Sequence, residues 1–228
     1  MQLPWQPNVA AMQCDPTVEG AAWPYAPRVI LKQMLSQAAQ QDLVLKAGVE
    51  FEYSLLAREA DGSLRPADER DTSALPCYDA RGLTTALDHL TTVSRHMDAM
   101  GWGNYANDHE DANGQFEQNF QYADALTTSD RLIVLRLMLH TLARRQDLYA
   151  TFMPKPFAER PATVCTPTSA CGLPAPTNRC FTTTRPAGPR PQRTGLPVHR
   201  WDSGPRPGPE RGRLPDGQFV QAHRRRPA

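Results

Sequence analysis

Hydrophobic periodicity runs through this chain as far as Arg160 and then stops, so only the first 160 residues can build a packed core. Between Arg28 and Gln41, Val29, Ile30, Leu31, Met34 and Leu35, then Ala38 and Ala39, recur at the spacing of an amphipathic helix. Leu43 to Leu56 reads as a strand, with Val49, Phe51 and Tyr53 alternating against Gly48, Glu50 and Glu52. A second helix fits Gly82 to Met100, with Leu83, Leu87, Leu90, Val93 and Met97 on one stripe, and Gly101-Trp102-Gly103 ends it. From Asn104 to Tyr122, two short runs flank Asn113-Gly114, a strong hairpin signal. A third helix carries Leu132, Leu135, Leu139 and Leu142 up to Arg145, with Ser129 or Asp130 as its cap. Ala150 to Pro154 reads as a short buried strand and residues 57–80 as polar loop, while the Pro- and aromatic-rich residues 1–27 read as irregular or edge structure.

Charge divides at the same place. Residues 1–160 hold 14 Lys and Arg against 21 Asp and Glu, whereas residues 161–228 hold 11 Arg, no Lys and 3 acidic residues. Of the 22 prolines, 13 follow position 160. A break this sharp marks a boundary. The five cysteines are odd in number and form no C-x-x-C pair, which argues against a disulfide framework and points to a reducing, cytoplasmic location. No run reaches the ~18–20 apolar residues that span a bilayer, and no secretory signal is visible, so no membrane partner is expected.

The residues that can carry chemistry are acidic. Glu50 and Glu52 stand two apart in a strand, so both carboxylates take one face. Glu110 and Glu117 flank the Asn-Gly turn, and a hairpin there is expected to set them across from one another. Four carboxylates on neighbouring strands suit a hard divalent cation such as Mg²⁺ or Mn²⁺. Taken alone, the spacing favours the plainer alternative of solvent-facing glutamates on amphipathic strands. His109, beside Glu110, is read as a hydrogen-bonded structural histidine in preference to a metal-site neighbour.

The strings GVEFEY (48–53), NDHEDANGQFEQNF (107–120) and LYATFMPKPF (148–157) stand in order and at separations that resemble the catalytic domain of the glutamine synthetase family. PCYD (76–79) and QYADALTTSDR (121–131) are similar to its type III glutamate–ammonia ligase and γ-glutamylmethylamide synthetase branch. The resemblance implies that Glu52, Glu110 and Glu117 bind one metal and that Glu50 binds a second, against the nucleotide phosphates. It also implies Mg²⁺ or Mn²⁺ as cofactor and ATP as co-substrate. The implied reaction phosphorylates the glutamate γ-carboxylate, after which ammonia or a small amine such as methylamine displaces phosphate. Intact members form homo-oligomeric rings, an assembly not expected of this chain.

After MPKPFAERP the family continues with a Gly-rich turn and a His-x-His segment, but this chain reads ATVCTPTSACG. The genetic code offers an explanation. When the third base of each codon is read with the first two of the next, Pro161 through Gly172 permits G-N-G-L-H-x-H-L-S-L-W, and the step from Cys165 to Thr166 allows only His or Tyr. Out-of-frame reading of a GC-rich gene also yields the Pro, Arg, Ala, Gly and Thr that fill the tail. The competing account is a basic, Pro-rich extension ending in Arg224-Arg225-Arg226 that binds nucleic acid. The frame change is preferred, and no nucleic-acid partner is expected.

The expected architecture is α+β. Residues 1–27 form the remnant of an amino-terminal β-grasp domain and its linker. Residues 28–160 form part of a catalytic domain, an incomplete antiparallel barrel-like sheet with three outer helices. Residues 161–228 form a disordered tail. On this reading the chain is either an ATP-dependent ligase or a catalytically inactive fragment of one, since the histidine that the family uses at the second metal falls beyond the break.

Overall fold

The computed structural model describes residues 1–163 and 165–172. The fold is α+β, and its organising element is one long strand. Two small hairpins come first, β1 (Gln2–Leu3) with β2 (Gln6–Ala10) and β3 (Thr17–Val18) with β4 (Ala21–Ala22). Pro27 opens helix α1 (Pro27–Ala39), where its missing N–H costs nothing. Strand β5 (Val44–Arg58) follows, with Val49, Phe51 and Tyr53 buried and Glu50 exposed between them. From Tyr53 to Ala57 every residue is buried, so the alternation ends where both faces become covered.

Every pairing of β5 is antiparallel. One edge takes β9 (Ala123–Asp124), β8 (Gln115–Phe120) and β6 (Leu64–Pro66), of which β6 lies inside the stretch expected as loop. The other takes β10 (Tyr149–Thr151) and β11 (Cys165–Gly172). Strand β7 (Asn104–His109) pairs with β8, giving the path β10-β5-β8-β7, and the sheet does not close.

The expected second helix is two. Helix α2 (Ala80–Thr84) is capped by Asp79, which accepts from the Arg81 amide, and α3 (Leu87–Ala99) restarts after Ala86 leaves helical geometry at φ −121°. Thr84 and Thr85 donate their hydroxyls to the carbonyls of Arg81 and Gly82, a local bond that competes with helix continuation. Helix α4 (Ala125–Arg144) begins earlier than Ser129 or Asp130 would set it. Its cap is Asp124, which accepts from the Thr127 amide at 2.9 Å. Ser129 instead donates back to Ala125, and Asp130 accepts from Arg28.

Helices α3 and α4 cover one side of the sheet, burying Leu90, Val93, Met97, Leu135, Met138 and Leu139 against Phe51, Tyr53, Phe116 and Phe120. Leu3 and Trp5 of the first hairpin join this core, so the amino-terminal segment is packed on the body.

The expectation that regular structure ends at Arg160 is corrected by β11. It pairs with eight consecutive positions of β5, from Cys165 opposite Phe51 to Gly172 opposite Val44. Strand addition uses main-chain groups, and an open sheet edge accepts it with little regard to side chains. The rest of the expected disordered tail, residues 173–228, lies outside the described residues. Among the described residues no helix is long and apolar enough to cross a membrane.

Candidate metal centre

The uncovered side of the sheet is acidic. In β5, Glu50 and Glu52 point opposite to the buried Phe51 and Tyr53. In β8, Phe116, Gln118 and Phe120 are fully buried on the helix side, and Gln118 donates to the Leu90 carbonyl of α3. Gln115, Glu117 and Asn119 therefore share the other side. The register sets Glu52 opposite Glu117 and Glu50 opposite Asn119. Across the next ladder Glu117 faces Asp108, not Glu110. Glu110 lies one residue beyond β7, at the start of a five-residue turn closed by its amide donating to the Gln115 carbonyl. The hairpin thus seats Asp108 where Glu110 was expected. Asp108 shows the period-two signal through its alternation with Glu110, but an exact register is needed to find it.

These carboxylates crowd one another. Burial, together with the charges of Glu52, Glu117, Asp111 and Asp108, pushes the Glu110 pKa up to about 8. Glu117 is raised by burial and by Glu50, Glu52 and Asp108, against a hydrogen bond from Asn119 that lowers it. Asp108 is raised by burial. As they stand, the acids turn to neighbouring amides. Gln115 Nε2 donates to Glu52 at 2.7 Å, and Asn119 Nδ2 donates to Glu117 at 2.6 Å. Among the described residues no three Asp, Glu, His or Cys side chains come together closely enough to hold a metal ion. Glu50, Glu52 and Glu117 share one face, with Glu110 on the adjoining turn near Glu52 and Glu117, and the four do not converge on a point.

Two observations fit this face to a hard cation. Asn119 Oδ1 is buried and has no hydrogen-bond partner, although its Nδ2 is engaged with Glu117. An orphaned carbonyl-type oxygen among carboxylates calls for a positive partner. The acids arrayed across the strands, Glu52, Glu117 and Asp108, are oxygen donors, the ligand type that hard divalent cations take.

Behind the turn sits a buried pair that sequence reasoning found only in half. His109 Nε2 meets Asp71 Oδ2 at 2.8 Å and His109 Nδ1 meets the Glu110 carbonyl at 2.9 Å. Both partners are acceptors, so the surroundings favour a ring that donates from both nitrogens. Burial opposes the charged form of His109, yet the bonds to Asp71 and the Glu110 carbonyl outweigh it and raise the pKa. Burial likewise opposes the Asp71 carboxylate, and donors from His109, Gly114 and Asn113 carry its pKa below the usual value. His109 is therefore structural, as the sequence suggested; Asp71, in an irregular polar loop, carried no periodic signal to reveal it.

An open antiparallel sheet, covered by helices on one side and lined with acids on the other, defines part of a catalytic domain. The profile of the glutamine synthetase catalytic domain matches residues 24–165. The chain is 43% identical over 157 residues to glutamine synthetase of Rhizobium meliloti, covering 69% of this chain and 35% of that protein. It is 42% identical over 159 residues to glutamate–methylamine ligase of Methyloversatilis universalis, covering 70% of this chain and 36% of that one. The solved structure of ligand-free GmaS superposes with a TM-score of 0.72 at 46% identity, over 76% of this chain and 40% of its own. This chain belongs to the glutamine synthetase family, and it spans about a third of the length of the curated relatives it matches.

Proposed function

We propose that the acidic face is half of the metal site of an ATP-dependent ligase, which joins the glutamate γ-carboxylate to ammonia or methylamine through a γ-glutamyl phosphate. The observation that carries this is the row Glu52–Glu117–Asp108 across three strands, with Glu110 beside it and the buried Oδ1 of Asn119 left without a hydrogen-bond partner. Glu52, Glu110 and Glu117 would hold one Mg²⁺ or Mn²⁺, and Glu50 would belong to a second. Bound there, divalent cations neutralise a phosphoryl group in transfer from ATP. A relative solved as a GmaS/ADP complex supports a nucleotide co-substrate, and the two relatives named for ammonia-type and methylamine-type products leave both amines as candidates.

The 228-residue chain itself we read as inactive, and the register of β11 supports that reading. Inserting one base ahead of the Ala162 codon keeps the numbering and permits His at 166 and 168. Position 166 pairs with Glu50 and position 168 with Gly48. Directly paired positions of neighbouring strands share a face. The restored histidine would therefore stand beside Glu50, where the second cation needs a ligand and where this chain has Thr166. The 161–228 segment reads as out-of-frame sequence and not as a nucleic-acid-binding arm. Residues 1–27 remain our candidate for the end of a β-grasp domain.

Loss of a positioned electrostatic group typically costs on the order of 10²–10³ in rate. Both the present chain and a base-restored, full-length version that also carries the amino-terminal domain should be incubated with ATP, Mg²⁺, glutamate and either amine, and phosphate release followed. The restored protein is expected to release phosphate only when glutamate and an amine are both present. Comparable turnover by the 228-residue chain would overturn the inactive reading, and failure of the restored protein would overturn the ligase reading.

A further inference from the structure

The turn that carries Glu110 is gripped from outside the hairpin. Asp71 lies in the loop between β6 and α2, and its carboxylate takes donors from three places. These are His109 Nε2 at 2.8 Å, the Gly114 amide at 2.5 Å and Asn113 Nδ2 at 3.2 Å. One donor precedes Glu110 in the chain and two follow it, so a single buried side chain closes both ends of the turn. The same loop adds further ties. Asn113 Nδ2 donates to the Ser73 carbonyl at 3.1 Å, and the Tyr78 amide donates to the His109 carbonyl at 2.8 Å. The His109 ring is seated against Gly82, where a Cβ would lie 2.8 Å from its Cδ2. From the far side, Arg160 donates to the Asn113 carbonyl at 3.0 Å.

Nothing in the proposed chemistry needs Asp71 or His109 to touch a substrate or a cation, yet both are buried polar side chains hydrogen-bonded to each other. Such a pair is costly to assemble and calls for a reason. The reason lies one residue away. Glu110 stands among Glu52, Glu117, Asp111 and Asp108, all acidic, and a free turn would let it swing into water. A turn fixed on both sides removes that freedom.

We propose that Asp71 and His109 form a clamp whose task is to hold Glu110 on the acidic face, which makes both of them positioning residues for the cation. The inference rests on the cation reading above. Groups behind a metal ligand typically change affinity by about 10–100-fold when removed.

The test is a Mn²⁺ titration of the full 228-residue chain, read by the loss of the free-ion electron paramagnetic resonance signal, with a thermal melt of each sample. Asp71→Asn should weaken Mn²⁺ binding by about 10–100-fold. Val134→Ala, a core truncation in α4, should lower the melting temperature and leave the affinity of the folded protein unchanged. If Asp71→Asn does not fold, Asn113→Ala removes one donor and keeps the Asp71–His109 hydrogen bond, and it should weaken binding several-fold. Wild-type affinity in the variant that folds would overturn the clamp and leave the cation reading standing. No Mn²⁺ binding by the wild-type chain, or binding unaffected by Glu52→Gln, would overturn the cation reading and the clamp with it.

Discussion

The two sides of β5 are written by the same residues taken alternately, yet they obey opposite physics. On the helix side, Phe51 and Tyr53 meet Leu90, Leu135, Met138 and Leu139, and every contact removes apolar surface from water. On the other side, Glu52, Glu117 and Asp108 stand in a row, with like charges facing across both ladders. One side stabilises the fold, and the other is tolerated because the first is strong. The contrast sets the proposed cation face apart from the side that builds the core.

Substitutions should separate the two sides in sign as well as in size. Leu139→Ala, at a position with 0% exposure under the sheet, should destabilise by about 2–5 kcal/mol in urea unfolding. A loss under 1 kcal/mol would mean that α4 is not seated as described.

The sides should also set opposite limbs of the pH profile. His89 is buried beside Tyr53 with its Nε2 unpartnered, and burial lowers its pKa to about 4. His89 takes up a proton near pH 6.5 in the unfolded chain and not in the folded one. Its own contribution to stability therefore falls as pH drops from 6.5 to about 4, while Glu110 contributes with the opposite sign above pH 4.5. The full loss is ~3 kcal/mol, and His89→Leu should abolish it. The carboxylates held low, such as Asp68 at about 2, lose their contribution only below the ordinary carboxylate value and so do not blur this window. Glu110 acts the other way. Its folded pKa of about 8 lies above the unfolded value of 4.5, so the folded state binds the extra proton and stability falls as pH rises between the two. Glu110→Gln should flatten that alkaline limb. A profile that rises steadily from pH 5 to 8 in the wild-type chain would contradict the crowding of acids.

The smallest effect has the most telling sign. Glu117→Gln keeps an acceptor for Asn119 and removes one charge from the row, so it should stabilise the metal-free chain by roughly 0.2–1 kcal/mol. The same variant should lose Mn²⁺ binding. Destabilisation by Glu117→Gln would show that the carboxylate serves packing, and the contrast between the two sides would fail.

Alternation and helical spacing were enough to place α1, β5, the 104–122 hairpin and α4 to within a few residues, because those patterns depend on which side of an element meets water. The same alternation placed Glu50 and Glu52 together on one face. It did not reach the split between α2 and α3, where two threonine hydroxyls divert local carbonyls, nor the cap of α4, where Asp124 wins over Ser129 and Asp130.

What the sequence determined by itself was the character of each strand face and the place where the family resemblance ends. Only tertiary structure decided which acid faces which. A shift in register changes every cross-strand neighbour and leaves the composition of a strand untouched, so Asp108 took the position opposite Glu117 that Glu110 was expected to hold. Tertiary structure also brought Asp71 to His109 across 38 residues and laid β11 along β5. Neither contact leaves a periodic trace, because the first depends on a loop's path and the second on main-chain groups that every residue but proline presents alike.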